Sequence, residues 1–153
     1  MHTLGKWLSA TLLAVPLLVT AEGLKFQGAD KTDSGYENYT GQITVTGKYY
    51  RDFDNEVMGD GVCFMVNKAS AKLIPRRNGD QRAPWFCFSN QQTAINTFKI
   101  AKKPAKGYCR YAGQATVTVN RYATYVEESE GSDLAQLLSA SKVSPAQATK
   151  CSE

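Results

Sequence analysis

The chain alternates apolar and polar residues over two long stretches, 42–50 and 111–125. In the first stretch, Ile43, Val45 and Tyr49 fall on one face, and polar side chains fall on the other. A period of two is typical of a strand with one buried and one exposed face. Both stretches are therefore predicted to be long β-strands.

Shorter apolar runs predict the remaining elements. Strands are expected at 62–66 and 85–88, with a short one at 71–75. Residues 91–100 place apolar side chains at helical spacing behind a capping Ser or Asn, which predicts one helix. Gly47 stands inside the first long strand, where a glycine commonly marks a bulge or sharp bend.

The two ends of the chain are less regular. Residues 22–40 are polar and rich in turn formers, and they predict a mobile arm ahead of a single domain at 41–153. Residues 134–140 are either a strand or a helical turn, and the sequence leaves both open. Residues 144–151 predict a short helix with Pro145 at its first position.

One phrase occurs twice. "YTGQITVTG" at 39–47 returns as "YAGQATVTV" at 111–119. Two copies are too few for a repeat array, but both have the composition of a long, half-exposed strand, with Thr and Gln outside and β-branched residues inside. The likeness reflects either a shared strand chemistry or two strands that lie side by side, and both interpretations stay open.

The order of the elements resembles the OB-fold, a five-stranded Greek-key barrel with a helix between its third and fourth strands. The resemblance covers most of residues 41–140 and rests on order and pattern, without a family motif. It implies that the first and fourth strands pair, which places 42–50 beside 113–122. The predicted fold is thus mainly β: a small OB-fold-like barrel of about five strands with one helix and a short C-terminal helical segment.

Residues 1–21 have the features of a secretory signal. Lys6 precedes an apolar run at 7–19, and small residues end at Ala21. The run is too short to cross a bilayer. We therefore expect cleavage after Ala21 and a secreted or periplasmic protein. The only histidine, His2, would leave with the signal, which excludes histidine-assisted nucleophiles and histidine-ligated metals from the mature chain.

The sequence contains four cysteines. An even number in an exported chain predicts two disulfides, whereas a zinc site would need closely spaced pairs that are absent here. Three pairings are possible. We favour Cys63–Cys87, because both residues lie in strand-like apolar runs, and Cys109–Cys151, because it would tie down the C-terminus.

Basic and aromatic residues suggest a binding surface. The net charge is +4, and OB-type barrels bind oligonucleotides or sugars with charged loops beside exposed aromatic faces. A solvated surface over core aromatics is the alternative, although Trp85 would be a contact anchor if it protrudes. The candidate binding residues are Lys48, Tyr50, Arg51, Arg76, Arg77, Arg82, Trp85, Lys102 and Lys103.

Catalytic and metal-binding motifs are weak. Residues 52–60 space their carboxylates as a calcium loop does, but Val57 and Cys63 stand where that loop needs Gly and Glu. Glu127 belongs to an acidic run whose members repel each other in water. We expect no metal, no cofactor and no enzymatic activity; a carboxylate glycosidase using Glu127 is a third class to be tested.

The sequence therefore predicts a secreted or periplasmic, non-enzymatic binding module. Its ligand would be an anionic polymer or a glycan. The alternative is a protein–protein interaction module, such as an inhibitor or immunity-type partner of a secreted enzyme.

Overall fold

The computed structural model describes residues 23–56, 59–127 and 131–151, so the predicted signal segment lies outside it. The described chain is mainly β with one α-helix, and none of its helices has the length and apolar character needed to cross a membrane. The elements are β1 (Lys25–Ala29), β2 (Tyr36–Thr40), β3 (Gln42–Asp52), β4 (Val62–Val66), β5 (Trp85–Phe88), α1 (Gln91–Phe98), β6 (Tyr108–Tyr125), β7 (Asp133–Ser141) and β8 (Gln147–Lys150).

Five of the strands close a ring. The order is β6, β3, β4, β5 and β7, and β7 pairs back onto β6. Every neighbouring pair in the ring is antiparallel except β5 and β7, which are parallel. The sheet has eight strands in all, against the five or so expected, because β1, β2 and β8 are added outside this ring.

Strand β6 is the longest strand described and pairs with four others. One of its edges pairs with β3 and then β2, and its other edge pairs with β8 and then β7. Its length allows four partners because each uses only part of the strand. The segment 134–140, left open between strand and helix, is part of β7.

The two copies of the duplicated phrase lie mainly on β3 and β6, which pair side by side in the sheet. Of the two interpretations left open by the sequence, the structure supports adjacent strands. Val45 and Val117 hold equivalent places in the two copies, and they also face each other in the antiparallel register. The pairing therefore has a local twofold axis through these valines. Thr44 and Thr118 share a hydrogen bond of 2.8 Å on the outer surface, and the symmetry-related threonine pair one row along is joined at 3.0 Å.

The ring encloses the core. The inward side chains of β3 to β7 are mostly aromatic or β-branched, and the buried Phe98 of α1 stacks on Tyr49 with 4.3 Å between ring centroids. Asn90 stands at the predicted cap position, but its side chain does not cap the helix. Its amide nitrogen donates to the Leu137 carbonyl of β7, and its amide oxygen accepts from the Leu137 N–H. The helix is thus fixed to the ring by tertiary contacts.

Gly47 causes no bulge in the sheet. The register of β3 continues through it on both sides, pairing it with Val66 and with Ala115. A Cβ at this position would lie 2.1 Å from the carbonyl oxygen of Met65. The glycine is needed because the backbone of β4 approaches closely, which is the other common reason for a glycine inside a strand.

Three expectations about local structure were wrong. The predicted polar arm is instead, over residues 25–40, a hairpin of β1 and β2 that joins the sheet through β6. The C-terminal helix is instead the strand β8, because edge pairing with β6 overrides the helical propensity of its residues. Residues 71–75 form a 3-10 turn at Ala71–Leu73 outside the sheet.

The structure joins Cys63 to Cys87 and Cys109 to Cys151, the pairing favoured from the sequence. The first disulfide links directly facing residues of β4 and β5. The second fastens the end of β8 to the start of β6, where Lys150 faces Tyr108. Disulfides of this kind are typical of oxidising compartments.

Candidate functional site

A row of side chains crosses the outside of the ring. Lys48 of β3 faces Met65 of β4, and Met65 faces Trp85 of β5. Their chain neighbours Phe64 and Phe86 are fully buried. Because successive side chains of a strand point to opposite sides, the row of three points outward.

A second row lies beside the first. Tyr50 faces Cys63, which faces and bonds to Cys87. We call the surface formed by Lys48, Tyr50, Met65, Trp85 and this disulfide the outer face. It brings together three of the sequence-predicted binding residues, Lys48, Tyr50 and Trp85, on adjacent strands.

The outer face has an apolar centre. The Met65 side chain is 37 % exposed, and Trp85 beside it is partly buried. The disulfide in the neighbouring row cross-links β4 to β5, so the two strands are covalently fixed. The result is an exposed hydrophobic contact on a rigid support, next to the free end of Lys48.

One edge of the outer face carries an arginine. The guanidinium of Arg110 lies over the Tyr50 ring, 5.1 Å from its centroid, and its Nε is 3.3 Å from the Asp52 carboxylate. Burial raises the pKa of Tyr50, with Arg110 acting in the opposite direction. The phenol therefore stays protonated at neutral pH, and the cation of Arg110 is already partly neutralised.

Arg51 does not belong to this face. It points inward and is 7 % exposed. Its guanidinium donates to the Asp60 carbonyl at 2.7 Å, to the Asp60 carboxylate at 2.8 Å and to the Ala101 carbonyl at 3.1 Å. It holds the loop after β3 to the loop after α1, which is a structural task.

Arg76 serves a buried carboxylate. Asp133, whose side chain is 0 % exposed, accepts hydrogen bonds from Arg76, from the Tyr122 hydroxyl at 2.7 Å and from the Tyr125 amide at 2.9 Å. Burial, together with the Asp133 charge, raises the pKa of Tyr122 well above its usual value. The phenol therefore remains a donor to Asp133.

The other two arginines of this loop are also paired. Arg82 bonds Asp80 and donates to the Tyr125 carbonyl at 2.7 Å. Its hydrogen bond to Asp80 lowers the pKa of that carboxyl to about 2. Arg77 forms an ion pair with Glu37 of β2. The basic loop predicted to contact a ligand is thus bound to the body of the protein by its own arginines.

Lys102 and Lys103 are exposed in the loop between α1 and β6. Neither forms an ion pair with any part of the chain that the structure describes. They lie outside the rows of the outer face, so the structure does not gather the nine predicted residues into one surface.

A cluster with metal-ligand elements fails a chemical test. The Asp54 carboxylate lies within 4.8 Å of the sulfur atoms of Cys109 and Cys151. Both sulfurs are joined in a disulfide, so they offer no thiolate. The acidic loop beside it is also engaged: Asp52 pairs with Arg110, and Asp60 pairs with Arg51.

Met65 and Arg110 are not among the candidate binding residues identified from the sequence. Met65 occupies an outward position in the run 62–66, and a period-two analysis of that short strand would have identified it. Arg110 gave no such signal, because its place over Tyr50 depends on the register between β3 and β6.

Comparison of the chain with protein-family models, with curated proteins and with solved structures found no match. The functional argument accordingly depends on the geometry of the chain itself.

Proposed function

We propose that this protein is a secreted or periplasmic, non-enzymatic binding module whose outer face binds a partner protein. The observation that carries the proposal is Met65, an exposed apolar side chain between Trp85 and Lys48 on a disulfide-fixed surface. Trp, Tyr, Met and Arg are enriched where proteins bind each other. The partner would present an apolar side chain to Met65 and Trp85, and a carboxylate to Lys48.

The charge distribution favours this alternative over an anionic polymer. Binding a polyanion requires a groove of cations that follows its backbone. Four of the predicted arginines are occupied by carboxylates or carbonyls of the same chain, and Arg110 is paired with Asp52. Lys48 is the one cation of the outer face that forms no ion pair with a described residue.

The topology supports an OB-type barrel as the scaffold. In chain order, the first and fourth strands of the ring pair, the third and fifth are parallel, and α1 falls between the third and fourth. In OB-type barrels the ligand face is that of the second and third strands. Those strands are β4 and β5 here, and they carry Met65 and Trp85.

Two matched variants test the outer face. Met65→Glu places a charge at its centre, whereas Leu73→Glu changes a similarly exposed apolar residue, 42 % exposed, on the 3-10 turn away from it. A stoichiometric partner purified from the envelope or medium of the source organism is titrated against both by calorimetry. We expect Met65→Glu to weaken binding by at least about tenfold and Leu73→Glu to leave it unchanged.

Other outcomes would contradict the proposal. Equal binding by the two variants would remove the outer face as the interface. Saturable, salt-sensitive binding of oligonucleotides or heparin that is lost in Lys48→Ala but kept in Met65→Glu would reinstate the polymer function. Turnover in a glycosidase screen, abolished by Glu127→Gln, would make the protein an enzyme.

Export is tested separately. The two disulfides suit an oxidising compartment, and we expect mass spectrometry of the native protein to show a chain that begins at Glu22 with no free thiols. A native chain that retains Met1, or that contains free thiols, would contradict the secreted assignment.

A further inference from the structure

Register breaks in adjacent strands coincide at one level of the sheet. In the pairing of β1 with β2, the register shifts at Gln27. One edge of β6 changes its partner from β2 to β3 between residues 123 and 120, which leaves residues 39–41 opposite residues 121–122. On the other edge of β6, the pairing with β7 also shifts at residues 121–122. Bulges re-aim side chains and are common beside binding sites.

A cavity of about 430 Å³ opens where these breaks meet. Its lining includes Gln27, Asn38, Tyr39, Thr40, Asn120 and Arg121. We call it the bulge cavity. It belongs to the β1–β2 hairpin and its contact with β6, whereas the outer face is formed by β3, β4 and β5, so the two sites share no residue.

Arg121 has the features of a ligand-binding residue. Its φ is +46°, in the left-handed region that non-glycine residues rarely adopt. Its side chain is exposed at the cavity, and it forms no ion pair or hydrogen bond with a described residue. In this it differs from the arginines at 51, 76, 77, 82 and 110, all of which are paired within the chain.

A second group in the lining also has no partner. The side-chain oxygen Oδ1 of Asn120 is shielded from solvent and accepts no hydrogen bond. Buried polar atoms are normally satisfied, so Asn120 carries an acceptor that no described group uses. The two unpartnered groups, a cation and a neutral acceptor, are adjacent in the chain and line one cavity.

The rest of the lining is neutral and polar, with an aromatic ring. Asn38 is held in place because its amide donates to the Asp30 carboxylate at 2.7 Å. Asp30 itself lies outside this lining, and its charge is also stabilised by the hydroxyl and amide of Thr32. Tyr39 is fixed edge-on between Phe26 and Tyr122. None of the residues that line the bulge cavity is acidic.

We propose that the bulge cavity binds a carboxylate-bearing sugar residue of the uronic acid type. Arginine binds a carboxylate with two parallel hydrogen bonds, and the sugar hydroxyls would meet the neutral polar side chains of the lining. The volume is within the range of small-molecule sites. An amino acid fits less well, because its ammonium group would meet no anion in the lining.

The left-handed backbone of Arg121 provides a clean variant. Arg121→Gly removes the guanidinium and places at this φ the residue that tolerates it best, so the fold is kept. Lys142→Gly is the matched control: it also removes a cation from a left-handed position, with φ +50°, and Lys142 is not part of the cavity lining.

Glucuronic acid and trigalacturonic acid are titrated by calorimetry against the wild-type protein and both variants, with glucose and acetate as comparison ligands. We expect saturable binding of the uronates that Arg121→Gly weakens by at least about tenfold and that Lys142→Gly and Met65→Glu leave unchanged. Met65→Glu separates this site from the outer face.

Three results would overturn the inference. The first is the absence of saturable uronate binding at ligand concentrations up to about 10 mM, which would mean a dissociation constant weaker than that of a typical specific site. The second is equal binding of glucose, which would show that Arg121 selects no carboxylate. The third is equal binding of acetate, which would show a general anion site without sugar recognition.

Discussion

Replacing Asp133 by alanine tests how strongly the buried network around this carboxylate stabilises the fold. The carboxylate is fully buried and receives hydrogen bonds from Arg76, Tyr122 and Tyr125. Removing it leaves the guanidinium of Arg76, 17 % exposed, without its closest acceptor. A buried pair that loses one partner costs about 3–5 kcal/mol, and the hydroxyl of Tyr122 would lose its acceptor as well.

We therefore expect Asp133→Ala to lower the free energy of unfolding by about 4 kcal/mol, a large share of the 5–15 kcal/mol that typical domains possess. Urea denaturation followed by the fluorescence of Trp85, with disulfides intact, measures it. Asp52→Ala is the matched control: it removes the carboxylate of an ion pair whose arginine, Arg110, is 46 % exposed.

Exposed ion pairs contribute about 0–1 kcal/mol, so the control should change little. A loss below about 1 kcal/mol for Asp133→Ala, or equal losses for the two variants, would refute the reasoning. Either result would mean that Asp133 does not anchor Arg76 in solution.

Three further predictions concern the fold. Gly47→Ala should cost at least about 1–3 kcal/mol in urea, because its Cβ would meet a carbonyl oxygen of β4 at 2.1 Å; full stability would contradict the close approach. The bond from Arg82 lowers the pKa of Asp80 from 3.8 to about 2, so its stabilisation is present above the unfolded value and is lost as pH falls from 3.8 towards 2; Asp80→Asn should flatten the urea midpoint over that interval, and an unaltered slope would dismiss the linkage. Replacing Cys109 and Cys151 together by serine should cost about 2–4 kcal/mol and expose β8 to proteolysis, and resistance equal to that of wild type would count against the role of this disulfide.

The long strands were predictable because every second side chain along them is buried in the core and is therefore apolar. Ile43 and Val45 on β3, and Val117 and Val119 on β6, alternate with threonines on the outside. Long period-two patterns of this kind survive any choice of tertiary partner. The cysteine pairing was also accessible, since Cys63 and Cys87 lie in apolar runs that became neighbouring strands.

The edge strands and the arginine partners were not predictable in the same way. All four residues of β8 are exposed, so no hydrophobic period marks the strand in the sequence. Its conformation is determined by hydrogen-bonded pairing with β6, which the local sequence does not reveal. Arg76 illustrates the other limit. Its acceptor Asp133 lies 57 positions away in the chain, and composition alone cannot distinguish a cation that is neutralised internally from one offered to a ligand.

The local twofold axis between β3 and β6 has a consequence for folding. A segment that matches its partner around such an axis is complementary to itself. Strand β3 of one molecule therefore presents to β3 of another the same stretch, Thr44, Val45 and Thr46, that it presents to β6. Unfinished chains at high concentration therefore compete for homotypic strand exchange. Within one molecule the intervening chain keeps the correct partner at a high effective concentration, which favours the native pairing of β3 with β6 over pairing between molecules.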